Sequence, residues 1–169
     1  LKEVLSTSTP QVSTTTTGTS TNRGTTTPFL VKKTERATST IVMFVDRETG
    51  YLYGYPIETG IVYQITNSIY PGISDAHIFD NGKRIIMRYP NYDKNTINAL
   101  VANIPNVSQN GTPLPLENIQ SLTGEVTSVA VSSQKDKAAY VVGTSNGSTI
   151  YTIAQKGPIM VATSPFKEW

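Results

Sequence analysis

The run Ser74-Asp75-Ala76-His77 brings together the three residue types of a hydrolytic triad: a nucleophile, an orienting carboxylate and a general base. The segment reads as the start of a strand, and successive side chains on a strand point to opposite faces. Asp75 and His77 therefore share a face while Ser74 points away, which opposes a triad built from this segment. His77 is the single histidine of the chain, and a polar position at a strand start, bonded to its surroundings, is its expected role. A second spacing, Asn91-Tyr92-Asp93-Lys94-Asn95, sets three oxygen-bearing side chains at alternate positions, as a calcium loop does. It lacks the glycine and the bidentate glutamate of such a loop, and Lys94 adds positive charge, so a solvated hairpin loop is expected. The absence of cysteine excludes thiolate chemistry and cysteine-type zinc sites. No catalytic, cofactor-binding or metal-binding residue is assigned, and the chain is expected not to be an enzyme.

Tyr51, Tyr53 and Tyr55 alternate along one segment and so share a face, with Tyr63 expected to pair with them across the hairpin. Aromatic stripes at a surface bind glycans or protein partners, whereas the same residues inside a sheet interface fill space and send their hydroxyls to the rim. These four tyrosines form the candidate partner surface. Asn106-Val107-Ser108, Asn110-Gly111-Thr112 and Asn146-Gly147-Ser148 have the form of N-glycan acceptors. Two of them fall in one long loop and mark it as exposed.

The elements that position these residues follow from composition and pattern. The chain has 169 residues, 37% of them hydrophobic, and a formal charge of +2 from 14 basic and 12 acidic side chains. That balance leaves no Lys/Arg stripe to neutralise a run of phosphates, so a nucleic-acid partner is not expected. No apolar run approaches the roughly 18 residues of a membrane span. From Ser6 to Thr27, fifteen of twenty-two residues are Ser or Thr. Such a stretch buries too little apolar surface to offset about 1–2 kcal/mol per ordered residue, so residues 1–28 are expected to be a disordered Thr/Ser-rich stalk or linker.

Beyond Pro28 short apolar runs alternate with turn signals. Ile41 to Val45 ends at Asp46-Arg47-Glu48-Thr49-Gly50, and Tyr51 to Tyr55 leads through Gly60 to Ile61 to Thr66. Ser74 to Phe79 passes through Asp80-Asn81-Gly82-Lys83 into Arg84 to Tyr89, and the Asn-Gly pair is the strongest hairpin signal in the chain. Residues 74–104 and 126–153 repeat one order: strand, Lys-containing turn, strongly apolar strand, polar loop, strand. Pro113 and Pro115 sit in the insertion between the two copies. The central runs at Ile41 to Val45, Ile85 to Met87 and Ala138 to Val142 are apolar without alternation, as strands buried on both faces must be. No helical periodicity persists, and the spacing predicts one four-stranded blade per repeat.

Phe79 to Met87 and Val131 to Tyr140 resemble the core of TolB-type, WD40-like propeller repeats. Asp46 to Tyr53, Ile65 to Ile73, Arg88-Tyr89 and the closing Ser164-Pro165-Phe166-Lys167-Glu168-Trp169 are similar to propeller proteins of candidate-phyla bacteria. The second copy, Ser132-Ser133-Gln134-Lys135-Asp136, departs from the pattern by lacking both Pro and Gly, so a different turn is expected there. The resemblance implies an all-β partial β-propeller over residues 29–169, with about three antiparallel blades near 40–67, 74–122 and 126–163. Pro165 to Trp169 would then enter a further blade, and both chain ends read as cut, with an anchor or export signal expected upstream of Leu1. The function expected is that of a non-catalytic extracellular or cell-surface scaffold for a protein or envelope partner, contacting it through the rim and the loop from Asn103 to Ser121. An accessory domain of an exported hydrolase and a structural appendage component are the alternatives. Self-association through open blade faces is expected.

Overall fold

The computed structural model describes residues 3–8, 11–22, 25–36, 39–134, 136–154 and 157–166, with side chains from Thr40 onward. Every regular element among them is a strand. In chain order these are β1 (Glu3–Ser8), β2 (Gln11–Asn22), β3 (Thr25–Arg36), β4 (Ser39–Val45), β5 (Leu52–Pro56), β6 (Tyr63–Gln64) and β7 (Asp75–Phe79). They continue as β8 (Arg84–Asn91), β9 (Thr96–Asn103), β10 (Glu117–Leu122), β11 (Glu125–Val131), β12 (Ala138–Thr144), β13 (Gly147–Ala154) and β14 (Gly157–Ser164).

Three four-stranded antiparallel sheets follow one another along the chain: β1-β4-β5-β6, β7-β8-β9-β10 and β11-β12-β13-β14. Each pairs strands that are neighbours in sequence, apart from the paired strands β2 and β3 inserted between β1 and β4. Backbone pairing thus extends into the Thr/Ser-rich stretch, where composition alone predicts no fixed structure. Threonine is β-branched and fits an extended backbone, and β4 offers β1 a ladder to complete. The remaining positions of 1–28 lie outside the described residues.

Two cores hold the sheets together. Ile41, Met43, Val45 and Leu52 of the first sheet meet Ala76, Ile78, Ile85, Met87, Leu100 and Ala102 of the second. Phe79, Ile86, Ala99 and Val101 on the opposite face of the second sheet meet Val126, Ala138, Tyr140, Val142 and Ile153 of the third. The period-two geometry of a strand sends alternate residues to opposite cores, so Ile85-Ile86-Met87 and Ala99 to Ala102 must be apolar throughout. Each buried Ile, Met, Leu or Val of this set contributes about 1.5–3 kcal/mol by leaving water, and each alanine less.

Turns set the register. Asp80, Asn81 and Gly82 all have positive φ, at 53°, 53° and 83°, so the hairpin expected at Asn81-Gly82 forms with a third left-handed residue. In the third sheet the corresponding turn is held instead by Ser132, whose Oγ accepts the amide protons of Asp136 and Lys137. The insertion after β9 does not simply project into solvent. Thr66 and Leu114 form a parallel bridge, the Leu114 amide donates to Ile65, and the Leu116 amide donates to Ser68 Oγ at 2.8 Å. Val107 and Leu116 are buried in the first core, so the loop clasps the first sheet to the second before returning as β10.

Candidate functional site

The tyrosine stripe is divided by the register of the first sheet. Leu52, Gly54 and Pro56 face the core, so Tyr51, Tyr53 and Tyr55 occupy the opposite face, as their spacing predicts. Tyr53 stacks on its cross-strand partner Phe44 with ring centroids 5.5 Å apart and planes at 17°, and Tyr55 pairs with Val42. Tyr63 does not join them. It pairs with Gly54 and packs on the first core, because the loop from Ile57 to Val62 brings it opposite a core-facing position. Its ring takes the space a side chain would need: a Cβ on Gly54 would lie 2.7 Å from the ring. Burial raises the Tyr63 hydroxyl above its ordinary pKa. The candidate surface is therefore Val42, Phe44, Tyr51, Tyr53 and Tyr55, of which Tyr55 is 36% exposed and the others are partly buried.

Asp75 and His77 come together on the face that spacing assigns them, with His77 Nε2 2.8 Å from Asp75 Oδ2. Asp75 also receives Arg88 Nη2 at 3.3 Å, and the carboxylate is only 14% exposed. Arg88 Nη1 reaches across to the third sheet and donates to the Thr127 carbonyl at 2.9 Å and the Val126 carbonyl at 3.4 Å. Ser74 donates its hydroxyl to the Arg88 carbonyl at 3.1 Å, on the other side of the strand. The nucleophile type is thus separated from the base, and the Asp–His pair belongs to an inter-sheet strap. Arg84, at the other end of the same row on β8, lies over the Phe79 ring and donates to the Ala154 carbonyl. Both guanidinium groups keep a buried Nε without a partner.

Two further motifs are decided by context. Gly143-Thr144-Ser145-Asn146-Gly147 matches the G-x-S-x-G spacing of a nucleophile elbow, which needs a strand-to-helix turn. Here it joins β12 to β13, and Thr144 Oγ1 closes the hairpin by donating to Gly147. Asn91 to Asn95 forms the turn between β8 and β9, with Asn91 Oδ1 accepting the Lys94 amide at 3.3 Å and Asn95 left-handed at φ 51°. Among the described residues no three His, Cys, Asp or Glu side chains converge on a metal position, and no helix is long and apolar enough to cross a membrane.

One concavity was not foreseen. Asp80, Lys83, Arg84, Asn103, Ile104, Asn106, Leu114 and Glu117 line an open groove of about 580 Å³ at the turn end of the second sheet. Its residues come from a hairpin turn and the clasp loop, which approach one another only once β10 has returned. Cations and anions share its walls, Lys83 and Arg84 beside Asp80 and Glu117. Comparison of the chain with protein-family models, with curated proteins and with solved structures finds no match.

Proposed function

We propose that this chain is a non-catalytic, propeller-type recognition scaffold displayed outside the cell, which docks a protein or envelope partner on the aromatic face of its first sheet. The propeller reading is supported by three consecutive four-stranded antiparallel sheets, each stacked on the next through its apolar faces. Surface display is supported by the Thr/Ser-rich composition before Pro28. The observation that carries the docking role is the stripe, exposed at Tyr55 and half-buried elsewhere, in which Tyr53 stacks on Phe44 between Tyr51 and Tyr55. A flat, rigid aromatic face desolvates easily and loses little side-chain entropy on contact. A scaffold role also fits the polar residues a hydrolase would use, since Asp75, His77 and Arg88 are spent on holding two sheets together.

Replacing Tyr51 and Tyr53 together with Ser tests this reading. Co-sedimentation of the purified chain with isolated cell envelopes is expected to fall several-fold, with cooperative thermal unfolding retained. Undiminished co-sedimentation would reject the aromatic face as the docking surface.

A further inference from the structure

The three sequences of the form Asn-x-Ser/Thr become unlike one another once the chain is folded. Attaching a glycan to such a site requires an enzyme to hold the asparagine together with the hydroxyl two residues on, so the whole tripeptide must come free of the surface. Asn146-Gly147-Ser148 runs from the turn after β12 into β13. Ser148 is 2% exposed and pairs with Gly143 on one side and Ser164 on the other, so freeing its hydroxyl means parting three strands of the third sheet. Asn106 and Ser108 are both exposed, but Val107 between them is 9% exposed and belongs to the first core. Lifting that tripeptide would pull a core side chain into water, which costs free energy in proportion to the apolar area exposed.

Asn110-Gly111-Thr112 differs from both. All three residues are exposed and none belongs to a strand. Among the described residues, the bond from the Gly111 amide to the Ser108 carbonyl, 2.8 Å, is what ties this backbone down. Opening one surface turn costs far less than opening a core, and glycine at the middle position lets the tripeptide extend. Fixed points bracket it, since Gln109 Nε2 donates to Thr59 Oγ1 at 3.1 Å and the Leu114 amide donates to Ile65. The clasp therefore holds the loop in place while its tip stays loose.

We infer that Asn110 is the one of the three that carries an N-linked glycan. The inference rests on the display outside the cell proposed above. The donor is a sugar joined through its anomeric carbon to a phosphate-bearing lipid carrier. Asn110 Nδ2 bonds to that carbon as the bond from the carbon to the carrier's oxygen breaks. The carrier leaves as its phosphate with the bonding pair, the amide proton passes to a base, and nothing is oxidised or reduced. Val107 and Leu116, which anchor the loop in the first core, lie outside the tripeptide, so the fold does not need the glycan.

The test starts from the chain as recovered from the envelope and soluble fractions of the cells that make it. Peptide N-glycosidase in heavy-oxygen water converts each occupied asparagine to a labelled aspartate, which mass spectrometry then locates. The label is expected at Asn110 and at neither Asn106 nor Asn146. Thr112→Ala, made in the same cells, keeps the asparagine but removes the hydroxyl. It is expected to lose the label and the mass of the glycan while melting like the enzymatically deglycosylated wild type. Label at Asn106 or Asn146 equal to that at Asn110 would overturn the inference, because those sites require a core or a sheet to open. Envelope-bound chain without label at Asn110 discards the glycan but keeps the display outside the cell. Chain found only inside the cell and without label discards both.

Discussion

At the scale of single residues, the chain spends its polar groups on shaping turns and tying sheets. Asp46 opens the tight turn between β4 and β5: its Oδ2 accepts the Thr49 hydroxyl at 2.6 Å and its Oδ1 the Glu48 amide at 3.3 Å. The turn also receives the incoming link to the second sheet, through Tyr70 N to Thr49 O and Ile73 N to Arg47 O. Gly50 makes that close passage feasible, with φ at 82° and the Tyr70 backbone only 2.7 Å from where a Cβ would stand. The Thr49 hydroxyl, and then the Glu48 amide, hold the Asp46 carboxyl below its ordinary pKa. A carboxylate whose pKa is lower in the folded chain than in the unfolded one adds stability above the ordinary carboxylate range, and that increment is lost as pH falls through the folded value. The melting temperature is accordingly expected to drop on acidification through this range, and less steeply for Asp46→Asn. Parallel acid limbs for the two proteins, by calorimetry across pH, would show that Asp46 does not contribute. Glu58, lowered by the Thr40 amide, and Asp136, lowered by the Ser132 hydroxyl, add to the wild-type slope with the same sign.

At the scale of elements, β8 is the strand on which the molecule depends. One row, Ile85 and Met87, enters the first core, and the other, Arg84, Ile86 and Arg88, faces the third sheet. Arg88→Ala would remove the bonds to the Val126 and Thr127 carbonyls and take from the largely buried Asp75 carboxylate its guanidinium partner. Losing one partner of such a cluster is expected to cost about 1–3 kcal/mol, less than for a fully buried pair because Arg88 is itself 23% exposed. Arg88→Lys should not restore it, since a single ammonium lacks the planar fork that spans carboxylate and carbonyls. Urea unfolding of both variants measures this, and a change within about 0.5 kcal/mol would reduce the strap to a surface contact. The doubly apolar character of β8 and β9 is legible in the sequence because alternate residues must satisfy two cores at once. The common face of Tyr51, Tyr53 and Tyr55, the common face of Asp75 and His77, and the hairpin at Asn81-Gly82 are legible for the same local reason. The position of Tyr63 is not, because its register depends on a six-residue loop with no turn signal strong enough to count residues. Nor is the groove near Lys83 and Glu117, whose walls are far apart in the chain and meet only through the clasp at Leu114.

At the scale of the whole molecule, stability is distributed by position in the stack. The second sheet is covered on both faces, whereas each outer sheet has one face turned away from a core. Exposing the amides of Ile85 to Met87 or Leu100 to Ala102 requires both cores to open. The first sheet's β6 has two residues, held by the clasp through Thr66 and Leu114, and β14 is an edge strand with Ile159, Met160 and Val161 all exposed. Local opening there disrupts a single core or none, so its free energy lies far below that of global unfolding. Hydrogen exchange is therefore expected to be slowest at the centres of β8 and β9, intermediate in β4, β5, β12 and β13, and fastest in β6 and β14. Equal protection of all three sheets would mean that the chain opens as one unit, and that stacking of separable modules is not what stabilises it.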